Sequence, residues 1–347
     1  MSRAYLDWNA TAPLRPEART AMLAAMDAVG NPSSVHAEGR AVRAIVERAR
    51  MQVSEAFGAP AADIIFTSGA TEAAGLALHD RDLNASAVEH DCVLSWTKHD
   101  LPCDTNGLVD VPDPANSTLQ LANSETGVLQ SLPQGLAVSD FVQAFGKIPV
   151  GFDWSGVDMG ILSAHKLGGP KGVGALVIRQ GLDVQPEIRG GGQEMGRRGG
   201  TENTIGIAGF GAAAEAAVKD LNDGLWEPVA ELRDLLEDRL ADEAPGIVFF
   251  GQGTKRLPNT ACFAVSGWKG ETQVMQMDLA GFAISAGSAC SSGKVKASKV
   301  LQAMGADTVT SASAIRVSIG PSTTKDALMR FADAWLGQHV RFSARAA

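Results

Sequence analysis

The feature that most restricts this fold is an alternation of short apolar runs with stretches of helical spacing, separated by glycine-bearing turns. Ile64-Ile65-Phe66 reads as a buried strand, and Thr67-Ser68-Gly69-Ala70-Thr71-Glu72 follows it at once before a helical stretch. Further strands are expected at 117–122, 135–139, 159–163 and 174–178. Helices are expected over 16–29, with Pro16 in a permitted early position, over 38–57, and over one long region from 205 to 240. In the second of these Val42, Ile45, Val46, Ala49, Val53 and Phe57 recur at helical spacing and mark a core face. Strands alternating with helices predict an α/β fold with a mostly parallel sheet. Past Pro245 the strands shorten, at 247–250, 261–265, 284–285 and 315–318, which predicts a smaller α+β unit. The expected division is a large domain over 14–245 and a small one made of 1–13 and 246–347. The stretch between Gly127 and Asp140 breaks the pattern, because it is too short to hold a crossover helix between parallel neighbours.

Charge and cysteine usage narrow the function. A net charge of −9 offers no basic face, so a nucleic-acid partner is not expected. No apolar run is long enough to span a bilayer, and Met-Ser-Arg-Ala-Tyr-Leu-Asp lacks the apolar core of a leader. Cys92, Cys103, Cys262 and Cys290 are scattered without a CxxC pair, so neither a disulfide framework nor a metal site is expected, and a cytoplasmic location is.

Several residues carry chemistry by type and place. Ser68-Gly69-Ala70-Thr71, between strand and helix, forms an anion site or an ordinary helix cap. Lys166 stands between a strand and Gly168-Gly169-Pro170-Lys171-Gly172, where its amine could form an imine with an aldehyde cofactor; the alternative is a solvated charge. Asp140, after a short apolar strand, could pair with a protonated pyridine nitrogen or cap a helix. His90 could stack on a ring or move protons, or serve structure alone. Cys290, among small polar residues, is a candidate nucleophile, while the other three cysteines read as packed small hydrophobes. Arg316, inside an apolar strand, needs an anion: a substrate carboxylate or a structural partner.

The order of these stretches resembles the cysteine desulfurases, in the class V aminotransferase group of fold type I pyridoxal-phosphate enzymes. The matching segments are YLDWNATAP (5–13), GNPSSVH (30–36), FTSGATE (66–72), VEHDCV (88–93), ANSETGV (122–128), DFVQAFGKIPV (140–150), SAHKLGGPKGVGAL (163–176), GGGQEMGRRGGTEN (190–203), SAGSACSSG (285–293) and IRVSIG (315–320). The resemblance implies a large domain with a seven-stranded type of sheet and a small C-terminal domain carrying the Cys290 loop. It implies pyridoxal 5'-phosphate bound through Lys166, which also shuttles the substrate's α-proton. Asp140 then pairs with the pyridine nitrogen, Gln143 lies near the phenolic oxygen and His90 stacks on the ring. Ala70, Thr71, Ser163 and His165 hold the phosphate, and Thr201 reaches the phosphate of the other subunit of a homodimer. Arg316 takes the substrate carboxylate, with Asn31 and Asn259 nearby, and Cys290 accepts sulfur from L-cysteine as a persulfide. The sulfur would pass to an acceptor protein for iron–sulfur cluster, cofactor or tRNA biosynthesis. Departures from the family pattern are Ser124 in a motif that usually reads Asn-Asn-Glu, Ala-Ala-Gly after Glu72, short linkers before His90 and Asp140, and a C-terminus without a scaffold-docking extension. Another class V enzyme (an aminotransferase or selenocysteine lyase) would need no nucleophile at 290, and a degenerate homologue would bind without turnover.

Overall fold

The structure, a computed structural model, describes residues 3–286 and 297–346. A two-residue strand β1 (Ala4–Tyr5) precedes helices α1 (Pro16–Met26) and α2 (Ala37–Ala56). Next come β2 (Ala62–Thr67), α3 (Ala70–Leu78), β3 (Asn84–Ser86), the single turn α4 (Asp91–Leu94) and β4 (Lys98–Leu101). β5 (Val138–Asp140), α5 (Phe152–Ser155), β6 (Met159–Ser163) and β7 (Gly174–Arg179) complete the large sheet. Its order is β2-β7-β6-β5, and isolated bridges Thr118↔Val138 and Asn84↔Ser117 continue it into the β3–β4 pair. All of these contacts are parallel except those of β7, which runs against both neighbours. The sheet is mostly parallel, as the alternation predicts. The strand expected at 117–122 shrinks to isolated bridges, since β3 and β5 on either side are only three residues long.

Alternation along the strands sends Ile64, Phe66, Leu162, Ala175 and Val177 to one face, under α1, α2 and α6 (Thr204–Asn222). Ile65, Ile161, Leu176 and Ile178 face α3 and α4. The stretch between Gly127 and Asp140 contains no helix. It forms instead a small hairpin, with Ala122 opposite Leu129, whose outer side bonds to Lys255 and Arg256. The connection from β5 to β6 holds only the single turn α5, and there Phe141, Phe145 and Phe152 cover the sheet by packing around Phe57 at ring-centroid distances of 5.0, 5.1 and 5.8 Å.

The single helix expected over 205–240 is two. Helix α6 ends at Asn222, Gly224 takes φ +73°, and α7 (Glu227–Glu243) starts with Pro228 in its first turn. The left-handed glycine terminates one helix and the proline, without an N–H, suits the start of the next. Then follow β8 (Ile247–Phe249), β9 (Thr260–Val265), α8 (Gly270–Leu279), β10 (Phe282–Ala283), β11 (Ser285–Ala286), α9 (Lys299–Ala303), α10 (Thr308–Ser313), β12 (Ala314–Ser318) and α11 (Lys325–Ala346). An antiparallel sheet β11-β12-β9-β8 and a parallel β1–β10 pair share a core of Leu6, Phe263, Trp268, Phe331 and Trp335. Trp226 and Leu236 of the α7 region join this second core. Among the described residues no helix is long and apolar enough to cross a membrane.

Candidate active site

The parallel strands place their C-terminal ends along one edge of the large sheet, where α/β folds collect functional groups. β5 ends in Asp140, β6 in Ser163 followed by His165 and Lys166, and β2 runs into Ser68-Gly69 and α3. β12 of the second sheet adds Arg316 from across the gap, and all of these border one cavity of about 590 Å³.

Gly69, the N-cap of α3, has φ +157°, a backbone conformation for glycine, and no side chain caps the helix. The β7 strand passes close beneath it: a Cβ on Gly174 would lie 2.8 Å from Gly69 Cα. The first-turn N–H groups at Ala70 and Thr71 thus border the cavity. His165 Nδ1 is buried without a hydrogen-bond partner. Burial, and then the charges of Lys166, Lys171 and Lys147, pull its pKa down to about 4, so the ring is neutral.

Lys166 Nζ donates to the carbonyls of Asn9 (2.7 Å) and Ala10 (2.9 Å). Asp140 is buried, and its Oδ1 accepts the Val142 N–H at 2.7 Å. Burial raises its pKa; the Val142 N–H, His90 and Lys166 oppose that rise. Such a carboxyl suits a cationic partner. His90 caps α4: its Nδ1 accepts the Cys92 N–H at 3.1 Å, with Cys92 Sγ at 3.0 Å, which assigns the proton of the neutral ring to Nε2. Gln143 Nε2 donates to Asn9 O at 3.0 Å.

Arg316 donates from Nη1 to Ser124 O (2.9 Å) and from Nη2 to Asp7 Oδ1 (2.8 Å), while its buried Nε has no hydrogen-bond partner. The ion pair orients the guanidinium at the cavity wall. Thr201 and Asn31 are exposed, and neither lines the cavity. Asn259 is buried behind it, donating to Asn9 Oδ1 (3.0 Å) and Ile319 O (3.1 Å). Cys290 lies outside the described residues. The chain enters that segment from β11, where Ser285 pairs with Arg316, and leaves it at Ala297, which lines the cavity.

Motif reading passed over Asn9, Glu89, Glu125 and Lys147. Asn9, Glu89 and Glu125 line the cavity, and Lys147 lies behind Gln143. All four fall inside matched motif segments, but nothing in a single sequence marks Glu89 or Lys147 as buried.

A lysine amine, a buried carboxyl and an uncapped helix N-terminus on the edge of an α/β sheet define a site for an aldehyde cofactor bearing a phosphate. The chain belongs to the class-V aminotransferase family, which it matches over residues 4–100 and 114–331. It is 41% identical to a cysteine desulfurase of Cereibacter sphaeroides, covering 93% of this chain and 92% of that one. It is 37% identical to the cysteine desulfurase IscS of Dictyoglomus turgidum, covering 93% and 91%. Among solved structures it resembles a NifS-like protein from Rickettsia africae, with a TM-score of 0.88 and 30% identity over 96% of this chain and 98% of that one. Members of the family use pyridoxal phosphate. The groups in the cavity fit it: an uncapped α3 and a partnerless His165 Nδ1 for the phosphate, and a buried Asp140 for the pyridine nitrogen.

Proposed function

We propose that this protein is a cysteine desulfurase that converts L-cysteine to L-alanine and places the sulfur on Cys290. The observation that carries the reading is that Lys166 and Arg316 face one cavity, with both ends of the Cys290 segment beside it. Lys166 would hold the cofactor covalently, Asp140 would pair with its pyridine nitrogen and His90 would pack on its ring. Ala70, Thr71, Ser163 and His165 take the phosphate. When bound, pyridoxal phosphate supplies an electron sink for the bonds at the substrate's Cα.

Arg316, steadied by Asp7, binds the substrate carboxylate. The free Lys166 Nζ would remove the proton from Cα and later return one. The Cys290 thiolate attacks the substrate's sulfur, forming an S–S bond. The C–S electron pair stays with the substrate's β-carbon, which takes up a proton, and L-alanine leaves. An acceptor protein then draws the sulfur from Cys290.

We also infer a homodimer in the cytoplasm, with Thr201 reaching the partner's phosphate. Leu23, Met26, Val29 and Val35 support an interface, since these exposed apolar side chains cluster on α1 and the turn after it.

Sulfide and alanine release from L-cysteine tests the reading. Lys166→Ala is expected to lose about 10²–10⁴-fold in turnover, the contribution of a positioned proton-transfer group. Cys290→Ser is expected to abolish persulfide formation and leave the cofactor's absorbance in place. Undiminished turnover in Cys290→Ser would overturn the desulfurase reading and favour another class V reaction.

A further inference from the structure

Lys147 is a buried amine that the reaction does not call on. It follows β5 on the turn that carries Gln143, and it is 2% exposed. Its Nζ lies 2.6 Å from Gln143 Oε1 and 3.1 Å from Asn9 Oδ1, and no ion pair joins it to a carboxylate among the described residues. Burying an amine without a counter-ion costs stability. Burial itself, with Lys166 and Arg316 acting the same way, holds its pKa well below the ordinary lysine value.

The Asn9 carbonyl and Lys147 together settle how Gln143 is turned. Asn9 O is a backbone carbonyl and can only accept, so the Gln143 atom 3.0 Å from it is the amide nitrogen. The opposite atom, Oε1, then faces Lys147, which donates. Asn9 is fixed by the same logic: its Nδ2 donates to Thr260 Oγ1 (2.8 Å) and Ser124 O (3.3 Å), and its Oδ1 accepts from Lys147 and Asn259. Its backbone carbonyl also accepts Lys166 Nζ at 2.7 Å. Gln143 borders the cavity, and its NH₂ group has two protons, of which Asn9 O takes one.

We propose that Lys147 is a positioning residue: it clamps Oε1 of Gln143 so that the second amide N–H points into the cavity and donates to the phenolic oxygen of bound pyridoxal phosphate. The role rests on the cofactor reading above. Without Lys147, Oε1 becomes a buried unpaired acceptor, and the carboxamide gains by swinging away from Asn9. The donor to the phenolic oxygen is then lost.

The test compares two ligands on one protein. Pyridoxal phosphate and an analogue lacking the phenolic hydroxyl are titrated into wild type, Lys147→Met, Gln143→Leu and the double variant, following absorbance at equilibrium. Lys147→Met is expected to weaken pyridoxal phosphate about tenfold, the loss of one hydrogen bond, and to leave the analogue's affinity within about twofold. In the Gln143→Leu background the Lys147 change is expected to add nothing. Equal loss for both ligands, or no loss for either, overturns the positioning role while leaving the cofactor reading intact. Failure of the wild type to bind pyridoxal phosphate overturns both. Lys147→Gln, which keeps a donor at that depth, is read the same way should the methionine variant not fold, and is expected to restore part of the difference.

Discussion

Glu89 and Glu125 are carboxyls that the cavity wall withdraws from water. Glu89 accepts the Gln120 N–H on Oε1, has no partner for its buried Oε2, and is pushed up to about 8 by burial and then by Asp140. Glu125 accepts from Ser298 Oγ at 2.6 Å and is raised by burial to about 7. A carboxyl raised in the folded state gives stability that is full below the unfolded value of 4.5 and is lost as pH rises through the folded one. Glu89→Gln keeps an acceptor for Gln120 and removes the charge. Its Tm is therefore expected to exceed that of wild type above about pH 8, by about 2–4 °C for each kcal/mol recovered, and the gap to close near about pH 4. A gap independent of pH would sink this account. Arg316 yields a second prediction: Arg316→Lys loses the fork, so KM for L-cysteine is expected to rise about 10–100-fold with cofactor binding unchanged. Lys166 and Asp140 were legible as candidates because each follows an expected strand, at 159–163 and 135–139; His90 stood out by residue type alone. Glu89 and Lys147 were not, because burial of a charged side chain is set by what the rest of the chain lays over it.

At the scale of elements, short crossovers are the departure that matters. The chain replaces helices with the phenylalanine cluster around Phe57 on one face and with the 122–129 hairpin beside the second sheet. The phenylalanine cluster covers apolar strand residues such as Ile64 and Leu162, as a helix would, while the hairpin packs Ala122 and Leu129 with Ala144 and Leu257. The glycine-rich segment after β7 is held in another way. Glu194 and Met195 sit at φ +47° and +59°, and Glu194 is locked by Arg50 at 2.8 and 2.9 Å and by the Phe66 N–H at 2.9 Å. Breaking this buried pair by Glu194→Ala is expected to cost about 3 kcal/mol in urea unfolding. Gly224 ends α6 at φ +73°, so Gly224→Ala is expected to cost about 1–2 kcal/mol with activity retained. The paired Gly224 and Pro228 were visible as residues, yet the apolar spacing that continues through them read as one helix. The helix break turns α7 onto the core of the second sheet, although the sequence pattern changes only past Pro245.

At the scale of the molecule, the two sheets meet at Asn9, whose side chain bonds Ser124 and Lys147 on one side and Thr260 and Asn259 on the other. Lys166, which donates to the Asn9 carbonyl, and Arg316, which shares Ser124 O with the Asn9 side chain, are thus tied to one point. In the proposed homodimer, sedimentation of the holoprotein is expected to give twice the chain's mass, and Thr201→Val to weaken the cofactor about tenfold without changing that mass. A monomer that binds the cofactor with full affinity would overturn the shared site. The sequence by itself determined the α/β class, the strand ends that carry Asp140 and Lys166, and the Ser68–Thr71 turn before α3, because these follow from local periodicity and from turn chemistry within a few residues. Only the tertiary structure decided that Asn9 joins Lys166 to the buried Lys147, that Asn259 backs the cavity instead of lining it, and that Glu89 is out of water. Those depend on contacts between residues more than a hundred positions apart, or on burial beneath distant elements, and no local pattern encodes either.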